Sequence, residues 1–220
     1  MRGEKIMNTE AFVVKSKKNP VISLGVTEGH FSTNHFHTTH YIDLDELKSN
    51  VSLARKVARE LSLKYLSNTQ VDTIVCMEGT EVVGAFLAEE LLKVGADAEG
   101  DHTEIHVVTP VSNVNGKLMF QNNTQRLIYN RNILLLLSTI SSGTTLNNAL
   151  RFIAYYGGDL VGISALFNAY TEKLEHDINS LFTMEDIPDY QVFRPTECPI
   201  CKRGRKLDAI IIHDGYIKVN

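Results

Sequence analysis

Ile133 to Leu137 (ILLLL) restricts the fold of this chain more than any other segment. Five consecutive large apolar residues leave no polar face, so a strand built from them must be covered on both sides. The run passes directly into Ser138 to Thr145 (STISSGTT), and a helical spacing then runs from Thr144 to Tyr156 and stops at Gly157-Gly158. A buried strand, a short turn of small residues and a helix are the repeating unit of a parallel sheet.

The rest of the chain fits that unit. Ser52 to Tyr65 places Leu53, Val57, Leu61 and Tyr65 on one stripe with charges opposite, which predicts an amphipathic helix. Asp72 to Met77 reads as a short buried strand, and Glu81 to Val94 as a helix stopped by Gly95. Glu104 to Val108 and Leu160 to Phe167 read as further strands, while Thr109 to Asn130 reads as a long loop or β-hairpin flap. The expected fold class is α/β: a mainly parallel central sheet flanked by helices. One domain is expected over residues 1–220, with an N-terminal hood at 1–50, a core at 51–170 and a C-terminal extension at 171–220. In such sheets ligands bind beyond the carboxyl ends of the strands, which directs attention to the loops after Met77, Val108 and Leu137.

Composition narrows the partners. A chain of 220 residues that is 43% hydrophobic can bury a full core. Its net charge of −4 argues against nucleic acid, whose phosphates are held by basic surface. No apolar run approaches the roughly 18 residues needed to span a bilayer, and the polar start from Met1 to Met7 predicts no signal peptide. Three cysteines, an odd number, do not make a disulfide framework, so a reducing cytoplasm is the expected location.

The segment Ser138, Thr139, Ile140, Ser141, Ser142, Gly143, Thr144 and Thr145 aims hydroxyls and backbone N–H groups at one point. The start of a helix adds favourable partial charge for an anion there. A phosphate site is one reading, and a ligand-free Ser/Thr-rich helix cap is the other. The loop resembles the phosphoribosyl pyrophosphate (PRPP) signature of type I phosphoribosyltransferases, a hydrophobic strand, two acidic residues and a loop of the form V-I-S/T-T-G-G-T. The orotate phosphoribosyltransferase branch is the most similar. His40-Tyr41-Ile42-Asp43-Leu44 resembles its Y-Y-I-D motif. Val75 to Thr80 with Val83-Gly84-Ala85 resembles its pyrophosphate loop, G-P-E-T-x-G, and Gly157 to Gly162 resembles G-A-x-V-x-G. Together these segments span about residues 29 to 170.

The resemblance implies that Ser138 to Thr145 grips a 5′-phosphate, that Glu78 is the acid of the pyrophosphate loop, and that Lys117 on the flap contacts polyphosphate. It also implies PRPP with Mg²⁺, transfer of phosphoribose to a nitrogenous base in nucleotide metabolism, and a homodimer in which the flap reaches a neighbouring subunit. For Glu78 a helix N-terminal carboxylate is the alternative, and for Lys117 a solvated lysine. Three departures bear on activity. Leu137 and Ser138 stand where the family has two carboxylates. The flap retains only Lys117 of the expected cations, with Arg126 and Arg131 further on. Asn34 to Thr39 lacks the lysine that would hold orotate, so another base is expected. A non-catalytic PRPP or nucleotide sensor is the alternative function, and a ligand-free dimerisation module a third.

Cys198-Pro-Ile-Cys201 has the spacing of one zinc knuckle. Four of the eight histidines lie between His30 and His40. His35 and His37 alternate, so on an extended segment they share a side. The expected Zn²⁺ ligands are Cys198, Cys201, His35 and His37, with His30 and His40 as alternates. Two reduced thiols beside solvated histidines are the plain reading. Cys76, at the end of a buried strand, is expected in the core rather than as a nucleophile.

Overall fold

The computed structural model describes residues 11–67, 69–95, 104–112, 117–212 and 215–219, with the backbone alone at 94 and 95. The residues from Met1 to Met7 and the flap tip at 113–116 lie outside the described residues.

In chain order the strands are β1 (Ala11–Lys15), β2 (Ser23–Ser32), β3 (His37–Asp43), β4 (Thr73–Cys76), β5 (His106–Val108), β6 (Val111–Ser112), β7 (Leu118–Met119), β8 (Asn132–Ile140), β9 (Asp159–Asn168), β10 (Ile178–Thr183), β11 (Val192–Phe193), β12 (Ala209–Ile212) and β13 (Gly215–Lys218). The helices are α1 (Asp45–Ser49), α2 (Val51–Ser62), α3 (Glu81–Gly95), α4 (Asn122–Gln125), α5 (Thr144–Tyr155) and α6 (Pro199–Lys202). No helix among the described residues is long and apolar enough to cross a membrane.

The apolar run forms the middle of β8, the central strand of a five-stranded sheet ordered β10-β9-β8-β4-β5. All of its neighbouring strands pair in parallel. Period two divides the β8 side chains between two layers. Leu134 and Leu136 join the core cluster of α1, α2 and α3, with Val57, Leu61 and Leu87. Ile133, Leu135 and Leu137 join the cluster of α5, with Leu146, Ala149, Phe152 and Ile153. The segment is therefore dry on both faces, as its composition requires, and the fold class is the α/β arrangement expected.

Pairing with β9 carries β8 beyond Leu137, since Thr139 and Ile140 stay in register with Phe167 and Asn168. The first part of the expected loop is thus strand, and only 141–143 form the turn before α5. The predicted helix from Ser52 is α2, which begins one residue earlier because the Asn50 side chain accepts from the N–H groups of Ser52 and Leu53. The flap expected between Thr109 and Asn130 contains the β6–β7 hairpin and the single turn α4.

The chain ends come together in a second, six-stranded sheet ordered β11-β3-β2-β12-β13, with β1 also on β2. The β2–β3 hairpin, from the expected hood, is its centre, and β12 runs parallel to the end of β2. Strand β10, within the expected C-terminal extension, is an edge of the core sheet.

Gly84, in the first turn of α3, lets the helix sit directly on β4. A Cβ there would run into the Cys76 sulfur and press on Val107 at 3.3 Å. Gly84→Ala is expected to lower stability by about 1–3 kcal/mol through overpacking, read as a lower urea midpoint at unchanged slope. A wild-type midpoint would show that α3 can lift off the sheet without cost.

Candidate functional site

Chain order places the cavity. After β4 the chain forms α3 and returns as β5 on one side, then crosses to the other side as β8. The loops leaving β4 and β8 diverge at their carboxyl ends, and a crevice opens between them. A cavity of about 340 Å³ lies there, lined on one side by Glu78 and by Ser138 to Leu146. The opposing wall is Thr33 to Phe36, Thr38, His40, Tyr41 and Ile42 of the β2–β3 hairpin, with Tyr190, Val192, Ile211 and Ile212 from the C-terminal part.

Gly143 caps α5 at φ 73° with no side chain to cover the first-turn N–H groups. The left-handed conformation favours glycine, and the Tyr170 ring occupies the space a Cβ would need. The Ser142 hydroxyl accepts from Thr144 N–H at 3.3 Å and donates to the Thr144 hydroxyl at 3.1 Å. An α-helix thus opens on the cavity with amides, hydroxyls and no carboxylate in its first turn, a combination suited to an anion.

Glu78 sits at the turn after β4 at φ 59°, followed by Gly79 at φ 78°. A non-glycine residue in this region costs about 1–2 kcal/mol, and the turn holds because both ends are tied. The Thr139 N–H donates to the Glu78 carboxylate at 3.3 Å. The buried Thr80 hydroxyl donates to Met77 O at 2.9 Å and lies 3.3 Å from Leu136 O. Glu78 thereby bridges the two loops that frame the cavity. Of the two positions expected to carry acids, Ser138 lines the cavity, whereas Leu137 is fully buried in the layer against α5.

Other expected residues lie elsewhere. Lys117 is exposed beside β7 and is not part of the cavity wall. Arg131 precedes β8 at its amino end, and nine residues at about 3.3 Å each put it roughly 30 Å from the cavity end. Arg126 lines a separate hollow with Tyr129, Tyr155 and Gly157. Neither arginine lines this cavity. Cys76 is wholly buried and its thiol is pushed up to about 12 by burial, so it is a core residue. Cys198, Cys201 and His37 come together, but their fourth neighbour is His30. His35 is exposed in the turn before β3, where the alternation of an extended strand has not begun.

No protein-family model matches the sequence, and no curated protein matches it. Solved structures do. A phosphoribosyltransferase from Corynebacterium diphtheriae superposes with a TM-score of 0.50 over 72% of this chain and 90% of its own, at 13% identity. The chain has the type I phosphoribosyltransferase fold. The Mycobacterium tuberculosis orotate phosphoribosyltransferase, solved with inorganic phosphate, has a TM-score of 0.46 at 15% identity, over 68% of this chain and 82% of its own. The Leishmania donovani UMP synthase has a TM-score of 0.49 at 17% identity; 68% of this chain aligns with 31% of that longer one. At these identities the likeness is one of fold.

On this phosphoribosyltransferase fold the C-terminal half of the cavity wall has no local sequence signal. Tyr190, Val192, Ile211 and Ile212 reach it only because β11 and β12 join the hood sheet. Tyr190 is buried, its phenol pushed up to about 12, and its ring stacks on His40 at 6.0 Å. His40 Nδ1 lies 2.8 Å from the Thr39 hydroxyl. Burial holds the His40 imidazole below the ordinary histidine range, and the Glu28 and Asp189 carboxylates offset this only in part. Between the two states the unfolded chain binds this proton first, so stability is lost as pH falls below about 6.5 and through the folded value. The urea midpoint should drop from about pH 7.5 to about pH 5.5, and His40→Gln should shrink that drop. An unchanged drop in His40→Gln would remove His40 from the acid response.

Proposed function

We propose that the cavity binds the 5′-phosphate of a phosphoribosyl compound at Ser138 to Thr145. The reaction it serves is transfer of phosphoribose from PRPP to a nitrogenous base in nucleotide metabolism. One observation carries this reading: the bare left-handed glycine cap of α5, with Ser142 and Thr144 beside it, faces a cavity large enough for a nucleotide. A phosphate there would take hydrogen bonds from the first-turn amides and from the hydroxyls of Ser141, Ser142, Thr144 and Thr145. Motifs similar to the orotate branch favour a relative of that branch. The base would lie between the hood turn at Asn34 to Phe36 and Tyr190. No Lys or Arg lines the cavity among the described residues, which disfavours a base bearing a carboxylate such as orotate.

Mg²⁺ fits this site in a limited way. Among the described residues Glu78 is the one carboxylate on the wall, and magnesium is commonly held by one or two carboxylates, water and the substrate's own phosphates. When bound with PRPP the ion would neutralise the departing pyrophosphate. Glu78 would orient that end of the ligand, and Ser138 would offer a hydroxyl to the ribose. Lys117, on the flap, is assigned to polyphosphate in its own or a neighbouring subunit of a homodimer. The alternative reading, a PRPP or nucleotide sensor, rests on Leu137 standing where the family resemblance implies a carboxylate. Removing one well-placed charge at a reacting centre commonly costs about a hundredfold or more in rate.

Calorimetric titration with PRPP, with and without Mg²⁺, set against a nucleoside monophosphate tests these readings. PRPP binding strengthened by Mg²⁺, followed by transfer to one base of a panel, is the expected result. Binding of the monophosphate with no transfer to any base would establish the sensor. Gly143→Ala should weaken both ligands at least about tenfold, or about 1.4 kcal/mol, with circular dichroism unchanged. Glu78→Gln should weaken only the Mg²⁺-dependent part of PRPP binding. No binding of either ligand would overturn the proposal.

A further inference from the structure

The His30, His37, Cys198 and Cys201 group lies beside the cavity but outside the proposed reaction. His30 is on β2, His37 opens β3, Cys198 is the N-cap of α6 and Cys201 lies within it. His30, His37 and Cys198 are buried and Cys201 is exposed. All three cysteines of the chain are free thiols, so no disulfide explains the convergence.

Ideal zinc bonds of about 2.05 Å to nitrogen and 2.3 Å to sulfur, at tetrahedral angles, place nitrogens about 3.3 Å apart and nitrogen and sulfur about 3.6 Å apart. His30 Nε2 lies 3.2 Å from His37 Nδ1 and 3.4 Å from the Cys198 sulfur. Cys201 Sγ lies 3.6 Å from His30 Nε2 and 3.3 Å from His37 Nδ1. All four donor atoms fall within 4.8 Å of one another. Four of the six donor–donor distances thus match the edges of a tetrahedron around one ion.

The surroundings of His30 point the same way. Its Nδ1 lies 3.0 Å from the Lys206 carbonyl oxygen, which can only accept, so that nitrogen carries the proton and Nε2 holds the lone pair. A backbone carbonyl on the far nitrogen is the usual support of a metal-bound histidine. His37 Nδ1 and both sulfurs lie 3.2–3.6 Å from His30 Nε2, so four donor atoms crowd a space that one cation held by two thiolates and two imidazoles would fill. Gly204, at φ 77° just after Cys201, donates to the Cys201 carbonyl and turns the chain out of the knuckle.

We propose that these four residues bind a structural zinc ion that clasps the β2–β3 hairpin to the C-terminal segment. Two sulfurs and two nitrogens as donors favour zinc over harder cations. The clasp sits where the two chain ends meet. The Asp208 carboxylate accepts from His30 N–H at 2.7 Å, and β12 pairs with β2 at Phe31 and Ser32. The ion would thereby hold the hood turn and Ile211 in place as cavity wall, a consequence that rests on the cavity being the ligand site.

Zinc content of protein purified without chelator tests the site itself, with cobalt substitution as a second readout. Equimolar zinc is expected, and cobalt should give tetrahedral visible bands with thiolate-to-metal charge transfer. Cys201→Ser and His30→Ala should lose zinc to a mild chelator at least about tenfold faster, whereas His35→Ala should match wild type. If either variant fails to fold, the wild-type cobalt spectrum still decides. Well under equimolar zinc together with no thiolate band on cobalt addition would overturn the proposal, as would zinc loss in His35→Ala equal to that in His30→Ala. Zinc present without phosphoribosyl binding would keep the clasp and remove only its consequence for the cavity.

Discussion

The double burial of β8 is the constraint on which the rest of the structure depends. Leu134 and Leu136 serve one helical layer and Ile133, Leu135 and Leu137 the other, so neither layer closes without this strand. Each such side chain contributes roughly 1.5–3 kcal/mol on burial, and none can turn outward without emptying a layer. Holding β8 at the centre puts β4 on one flank and β9 on the other. That placement makes the two loops diverge and creates the crevice. Continued pairing with β9 then presents Ser138 and Thr139 at the cavity from a rigid strand rather than a loose loop. Sites built on regular elements hold geometry more closely than sites on loops.

Electrostatics of the cavity are lopsided. Amides at the start of α5 and a row of hydroxyls face the cavity, Glu78 adds a negative charge, and no Lys or Arg lines the wall among the described residues. A helix N-terminus supplies about 0.3–1 kcal/mol to an exposed anion and up to about 2 when partly buried. Under the proposed reading that supply would suit a single 5′-phosphate, and the larger charge of pyrophosphate would call for Mg²⁺ or the flap's Lys117 as countercharge.

The hood is a construction of both chain ends. Its central hairpin comes from the N-terminal part, and β11, β12 and β13 come from the last third of the chain. The His/Cys group and Asp208 lie along this seam. Cavity residues on this side, Tyr190 and Ile211 among them, therefore depend on contacts between segments more than 150 residues apart.

Much of the core was legible from local pattern. The apolar run, the amphipathic stripe of α2 and the glycine stop of α5 are short-range signals, since burial on one or both faces leaves its period in the sequence itself. The hydroxyl-rich turn into α5 was legible for the same reason, because the backbone needs of a glycine cap are local. Tertiary structure alone decided that Leu137 turns into the core while Ser138 reaches the cavity. It also decided that Arg131 lies at the wrong end of β8, and that His30 rather than His35 joins the cysteines. Each of these depends on where a strand begins, how far its pairing extends and which distant segment it meets. Such facts arise from packing between remote parts of the chain, and no residue's neighbours in sequence encode them.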